Sequence, residues 1–167
     1  ETTSRGMFYD MATMAPVLRT VAETAPGLRF GVEDFPLDAA AVDAYAEHLR
    51  PLLALDGFGM LVDLGHLNLR RRQHPYFQGG DAAAYIRNVA APIHEVHVHD
   101  NDGARDLHQH PGAGNADLAG AARGLREVGF AGVCTIEVAP SFHGATPAES
   151  RPALRGSLRA WRALMAG

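Results

Sequence analysis

One short segment indicates the fold of this chain: residues 93–102, IHEVHVHDND. Its first part alternates apolar and polar side chains, which predicts a β-strand over 93–99. Val96 and Val98 then lie on one face of the strand, while His97 and His99 lie on the other. The valine face is suited to packing against helices. Glu95 shares the histidine face, one layer deeper. A polar, glycine-containing loop over 100–114 follows the strand directly.

The same alternation of strand and helix extends in both directions from this segment. Strands are predicted over 28–33, 60–64, 93–99 and 133–138, with a long loop over 65–80. Helices are predicted over 9–25 (interrupted by Pro16), 38–55, 81–90, 116–128 (ended by Gly129) and 148–165. This order favours an α/β fold, a parallel sheet with helical crossovers. Four such βα units are half of a (β/α)8 barrel, which typically needs about 250 residues. A four-stranded open sheet is the structural alternative.

Composition limits the classes of function. The 167 residues carry a net charge of −4, which argues against a nucleic-acid partner, and the three arginines over 70–72 form only a short basic cluster. All fifteen basic residues are Arg, so this chain offers no Schiff-base lysine. The single Cys134 lies in an apolar stretch and is expected to be an inert, buried thiol, in keeping with a reducing cytoplasm.

The ends of the chain give further expectations. No apolar run reaches the roughly 18–20 residues that a membrane span needs. The first residues lack a signal-peptide pattern and a starting Met, so the gene product is expected to begin upstream. We expect residues 1–167 to form a single domain, a cytoplasmic one.

Ionisable residues recur where each predicted strand ends. They are Glu33, Asp63, His97 and Glu137. In parallel α/β folds, ligands bind at the carboxyl ends of the strands. Buried carboxylates are costly unless they are paired or bound to a metal ion. Mixed carboxylate and imidazole ligands suit a divalent ion such as Mn, Co, Zn or Fe.

Histidines are also concentrated around the third strand. Five of the nine lie within residues 94–110. In the loop that follows, Asp106 and His108 are two residues apart and can face the same side of an extended segment, while Gly112 and Gly114 allow close backbone approach to a ligand. A plain turn before the next helix is an equally good interpretation of this loop.

Several stretches together resemble the xylose-isomerase-like TIM barrels. They are GVED (31–34), VDLGH (62–66), HVHDN (97–101), DLH (106–108) with GAG (112–114), and GVCTIE (132–137). That superfamily contains sugar phosphate isomerases and epimerases, inosose-type dehydratases and apurinic-site endonucleases. The resemblance covers residues 28–140 and implies that the chain is the C-terminal half of a TIM barrel, with the first four strands missing.

The resemblance also implies roles. Glu33, Asp63, His97 and Glu137 correspond to the ligands of one divalent ion (Mn, Co, Mg, Zn or Fe) in the isomerases and epimerases. His66 corresponds to a residue beside the metal that holds substrate or a second ion. Asp106 and His108 correspond to the pair that binds a further zinc in the endonuclease branch.

Three hypotheses follow for the function. The first is a metal-dependent isomerase or epimerase acting on a small sugar, sugar phosphate or polyol through a metal-stabilised ene-diolate, with Glu33 and Glu137 moving the proton. The second is phosphodiester hydrolysis by two or three zinc ions, which would need His66, Asp106 and His108. The third is a truncated or non-catalytic barrel, completed by the missing N-terminal half or by a second copy of the chain.

Overall fold

The computed structural model describes residues 11–33, 54–73, 81–89, 91–139 and 146–167. In chain order, the elements of these ranges are α1 (Met11–Thr24), β1 (Phe30–Glu33), β2 (Phe58–Asp63), α2 (Leu64–Gln73), α3 (Ala82–Asn88), β3 (Ile93–Val98), α4 (Leu118–Glu127), β4 (Val133–Ile136) and α5 (Pro147–Ala166). The four strands form one sheet in the order β1-β2-β3-β4, and every neighbouring pair is parallel. The predicted α/β fold is therefore confirmed.

The two faces of the sheet differ in chemistry. Phe58 and Val62 of β2 and Val96 and Val98 of β3 are buried in the core against the helices. Because strand side chains alternate, Asp63 and His97 point to the opposite, inner face, as the alternation in β3 predicted. The register places Asp63 beside His97 across β2 and β3, at their carboxyl ends.

Helices α3, α4 and α5 complete the core on the outer face. Leu125 of α4 is fully buried, and Trp161 of α5 is nearly so. A Cβ on Gly124 would lie 2.8 Å from the Cα of Ala83, which shows how closely α3 and α4 approach. Asp81, Asp117 and Thr146 cap the three helices by accepting from backbone N–H groups of the first turn.

One predicted segment is wrong. Residues 65–73, expected to be a loop, belong to helix α2, which begins at Leu64 instead of leaving that residue in the strand. The carboxylate of Asp63 accepts a hydrogen bond from the backbone N–H of His66 at 2.8 Å and so caps the helix. Leu64 and Leu67, three residues apart, are both buried. The helix is therefore stabilised by a local cap and by the burial of two leucines in the core, although Gly65 and the arginines make the segment look like a loop in the sequence.

The other boundaries agree with the predictions to within a few residues. Helix α1 runs through Pro16 without a break, whereas an interruption was expected there. The helix predicted over 38–55 lies outside the described residues except at its last two positions, which form a turn and a bend. None of the described helices is long and apolar enough to cross a membrane.

Candidate metal centre

The carboxyl ends of the four strands bring the four predicted ligands together. Glu33 ends β1, Asp63 ends β2, His97 lies near the end of β3, and Glu137 follows β4 directly. Each residue contributes one potential ligand atom to a group in which all four atoms lie within 4.8 Å of one another. We call these four residues the strand-end cluster. The parallel sheet thus brings four residues that are far apart in sequence into a single site.

The imidazole of His97 is at the centre of the strand-end cluster. Its Nδ1 lies 2.9 Å from a carboxylate oxygen of Glu137, 3.6 Å from Asp63 and 3.8 Å from Glu33. Nδ1 and the nearby Oε2 of Glu137 are both buried, yet neither makes a hydrogen bond. Buried polar atoms without hydrogen-bond partners are costly. A divalent cation would satisfy both atoms, so these residues fit a metal ion, with mixed nitrogen and oxygen ligands that suit Mn, Co, Zn or Fe.

Asp63 is the most deeply buried member of the strand-end cluster. Its side chain is fully inaccessible, and its carboxylate lies 2.9 Å from Nε2 of His99. Burial by itself would raise the pKa of Asp63, but the adjacent imidazoles of His97 and His99 outweigh burial and hold the pKa well below its ordinary value. Asp63 is therefore ionised at neutral pH and presents a fixed negative charge.

Burial and neighbouring charges also shift the pKa values of Glu33 and His97. Burial is the main reason that the pKa of Glu33 is raised, and the negative charges of Asp63 and Glu137 add to that effect. The carboxylate of Asp63, followed by those of Glu137 and Glu33, raises the pKa of His97 to about 9. In the metal-free protein a proton on His97 partly offsets the three carboxylates, and a bound cation would displace that proton.

A second group of ionisable residues lies beside the first. It consists of His66, His99, Asp106 and His108, whose potential ligand atoms also lie within 4.8 Å of one another. A carboxylate oxygen of Asp106 is 3.2 Å from Nε2 of His66 and 3.3 Å from Nε2 of His108. We call this group the loop cluster. It adjoins the strand-end cluster, because Nδ1 of His66 lies 3.6 Å from Glu33.

The loop cluster has its own electrostatic pattern. Burial favours a raised pKa for Asp106, but the neighbouring His108 and His66 reverse this and lower its pKa. The Asp106 carboxylate in turn raises the pKa of His108 to about 9. His108 also has φ +45°, a left-handed conformation unusual for a residue with a side chain. Strain of this kind is concentrated at functional sites.

A network of hydrogen bonds holds the loop after β3 in place. Asp100 and Gln109 exchange backbone hydrogen bonds of 2.9 and 2.8 Å, which bring the two ends of the segment 100–109 together. The buried Asn101 side chain donates to the carbonyl of Gly65 and accepts from Asn68. These contacts tie the loop to helix α2 and so set the positions of the residues in the loop cluster.

The structure places every predicted site residue in one of the two clusters. His99 was predicted only to share a face with His97, and its place in the loop cluster was missed. Its position two residues after His97 on a strand is the signal that could have identified it. His94 lies elsewhere, 3.2 Å from the carbonyl of Gly57 near the amino end of β2, and His110 contacts Ser157 of α5.

The fold and the strand-end cluster define a class: parallel βα units with a candidate metal site at the carboxyl ends of the strands. The sequence model of the family described as xylose isomerase-like TIM barrel matches residues 9–164. Because that match covers nearly the whole chain, the chain belongs to this family. The family resemblance inferred from the motifs is therefore confirmed.

Individual relatives match over shorter stretches. Fructoselysine 3-epimerase of Escherichia coli O157:H7 is 31% identical over 91 residues, which are 54% of this chain and 32% of that protein. An uncharacterized protein of Methanocaldococcus jannaschii is 29% identical over 117 residues, 66% of this chain and 37% of that protein. The chain thus spans about a third of the length of the curated relatives it matches.

Solved structures confirm the fold. D-psicose 3-epimerase, crystallised in the presence of D-fructose, superposes with a TM-score of 0.65 at 17% identity, covering 95% of this chain and 57% of that one. The IOLI protein with a bound zinc atom superposes with a TM-score of 0.64 at 18% identity, covering 93% of this chain and 56% of that one. A D-tagatose 3-epimerase-like protein superposes with a TM-score of 0.61 at 22% identity, covering 96% of this chain and 57% of that one. The chain folds as about half of such a barrel.

Proposed function

We propose that this chain carries the metal site and the acid–base pair of a divalent-metal-dependent sugar isomerase or epimerase. The substrate would be a small sugar, sugar phosphate or polyol. One observation carries the proposal: two glutamates from opposite edges of the sheet, Glu33 and Glu137, converge with Asp63 and His97 on a single point. Packing alone gives no reason to gather three carboxylates there, because their mutual repulsion is costly.

The two glutamates are suited to moving a proton. One would remove the proton from the carbon next to a substrate carbonyl, and the other would return a proton to the opposite face of the same carbon. That exchange inverts the carbon without net oxidation or reduction. Burial raises the pKa of Glu33, which brings this carboxylate closer to the near-neutral pKa favourable for a general base.

The remaining residues would bind and orient. Asp63, held ionised by His97 and His99, and the Nδ1 of His97 would supply fixed ligands. A divalent ion held by the cluster would stabilise the negative charge that develops on the substrate oxygens. His66, adjoining Glu33, would hold substrate from the side of the loop cluster.

The relatives support a ketose as the substrate class. Two curated relatives are fructoselysine 3-epimerases, and structural neighbours include D-psicose 3-epimerase and L-ribulose 3-epimerase. Each of these names describes an epimerisation at carbon 3, beside a ketose carbonyl. A metal site that gathers a base on each side is suited to that chemistry.

The test is proton exchange in D2O. The full chain, loaded with Mn²⁺ or Zn²⁺, is incubated with a panel of ketoses, ketose phosphates and fructose-amines. Loss of the C3–H signal in the NMR spectrum then reports proton abstraction. We expect exchange with at least one ketose, and a reduction of about 10²- to 10⁴-fold in Glu33→Gln and in Glu137→Gln. Because both residues are also proposed ligands, the variants are compared at metal concentrations that saturate each of them.

A matched control is Glu23→Gln, which removes an exposed carboxylate of α1. Glu23 lines a pocket with Leu28 and Gly57, which precede β1 and β2, so it lies toward the amino ends of the strands and not at the strand-end cluster. This variant should exchange at the parental rate. If Glu33→Gln and Glu137→Gln both kept full exchange at saturating metal, the proton-transfer assignment would be wrong. If the parent bound metal but exchanged no ketose, the chain would hold a metal site without the catalytic function, as expected for an incomplete barrel.

A second candidate function rests on the loop cluster. Two imidazoles, those of His66 and His108, lie on either side of the Asp106 carboxylate, a donor set suited to a further zinc ion. Two or three zinc ions would support phosphodiester hydrolysis. This alternative predicts release of p-nitrophenol from bis-p-nitrophenyl phosphate by the zinc-loaded chain. Full hydrolysis by an Asp106→Ala, His108→Ala double variant would eliminate it.

A further inference from the structure

One ionisable residue on the inner face of the sheet has no part in the proposed chemistry. Glu95 lies on β3 two residues before His97, so both side chains project from the same face. Its side chain is 35% exposed, and its carboxylate is thus partly removed from water. A partly buried carboxylate is costly unless it meets a partner. Its partners therefore indicate its role.

The first partner is the imidazole of His97. The two ring nitrogens face different groups: Nδ1 faces the three carboxylates of the strand-end cluster, whereas Nε2 lies 3.6 Å from Oε1 of Glu95. That separation is an ion-pair contact and is slightly too long for a hydrogen bond. When Nδ1 supplies its lone pair to a cation, the ring proton must be on Nε2, next to Glu95.

The second partner fixes the carboxylate from the neighbouring strand. The hydroxyl of Thr135 on β4 donates to Oε1 of Glu95 at 2.6 Å. Thr135 is also the register partner of His97 across β3 and β4. The side chains of Thr135, Glu95 and His97 therefore contact one another in a row on the inner face of the sheet. This row connects β4 with the centre of the strand-end cluster.

We propose that Glu95 is a positioning residue, held by Thr135, that keeps the Nε2–H tautomer of His97 and so presents Nδ1 to the metal ion. The inference rests on the proposed metal site and adds a residue to it. Histidines that bind metals commonly donate their second N–H to a carboxylate, which fixes the ring and increases its basicity. Removal of such a carboxylate typically weakens metal binding by about 10- to 100-fold.

The experiment measures zinc affinity on the full chain by competition with a chromophoric chelator. Glu95→Gln should bind zinc about 10- to 100-fold more weakly than the parent. Thr135→Val removes the hydroxyl and should show a smaller loss, whereas Thr135→Ser retains the hydroxyl and should restore parental affinity. Glu127→Gln removes an exposed carboxylate of α4 that pairs with Arg87, and it should leave zinc affinity unchanged.

A second readout separates positioning from general damage to the fold. In the zinc-loaded parent, we expect the ring to shift closer to Glu95, so that Nε2–H of His97 donates to that carboxylate. The proton should then give a downfield ¹H resonance that exchanges slowly with water. In Glu95→Gln that proton should shift upfield and exchange faster, even at saturating zinc. Neither change is expected if Glu95 merely fills space.

The outcomes distinguish the two proposals. If the parent binds no zinc, the proposed metal site fails, and the role of Glu95 fails with it. If the parent binds zinc and Glu95→Gln matches it in affinity and in the Nε2–H resonance, only the role of Glu95 is overturned. If Thr135→Ser lost as much zinc affinity as Thr135→Val, the Thr135 hydroxyl would have no part in holding Glu95.

Discussion

The contact between Gly65 and His99 gives the sharpest prediction. Gly65 lies in the first turn of α2, and a Cβ added there would be 1.9 Å from Cε1 of His99 and 2.4 Å from each ring nitrogen. Ordinary contact begins near 3.4 Å, so the ring would have to retreat by about 1.5 Å. His99 has no free space for this movement, because it is fully buried and stacks on His108 at 4.0 Å.

The energetic cost of Gly65→Ala can be estimated from these contacts. A shift of that size would break the 2.9 Å contact between His99 and Asp63. Loss of a hydrogen bond to a charged group costs about 1.5–3 kcal/mol, and overpacking a buried site costs about 1–3 kcal/mol. Alanine recovers about 0.5–1 kcal/mol of helix propensity. The variant should therefore lose about 2–5 kcal/mol of unfolding free energy.

The measurement is urea denaturation followed by circular dichroism, together with zinc affinity. Gly156→Ala is the matched control, because Gly156 is also helical and its added Cβ would meet no atom within 4 Å. That control should be more stable than the parent by about 0.5–1 kcal/mol. If Gly65→Ala were as stable as Gly156→Ala and bound zinc with parental affinity, His99 would not be needed to hold Asp63 in place.

Three further predictions concern charge, metal count and capping. Partner carboxylates raise the pKa of His97 and of His108 to about 9. The stabilisation from these two protonated imidazoles is complete below about pH 6.5 and is lost as the pH rises through 9, so the urea midpoint of the metal-free protein should fall between pH 6.5 and 9.5. A midpoint that does not change with pH would contradict these pKa values. Asp106→Ala should leave the first bound ion in place and remove any second one, as counted by plasma mass spectrometry; loss of the first ion would show that the clusters are not separable. Thr146→Ala should lose about 1 kcal/mol in urea denaturation, because its side chain forms a capping box with Glu149 at the start of α5, and an unchanged midpoint would show that this helix end is frayed.

Much of this protein follows from local patterns in its sequence. The alternation over 93–99 predicted which residues of β3 face the helices, because a strand repeats every two residues whatever surrounds it. Ionisable residues at four successive strand ends predicted the strand-end cluster, since parallel strands place their carboxyl ends at one edge of the sheet. The sequence alone therefore indicates Glu33, Asp63, His97 and Glu137 as members of one site.

The tertiary structure decided the features that depend on contacts between distant segments. Helix α2 forms where the sequence predicted a loop, because its leucines are buried only once the sheet is assembled. His99 joins the loop cluster because the loop after β3 folds back over α2. Glu95 meets Thr135 only through the register of β3 with β4. Local periodicity fixes the direction in which a side chain points, whereas the identity of its partners depends on how the strands and loops pack together.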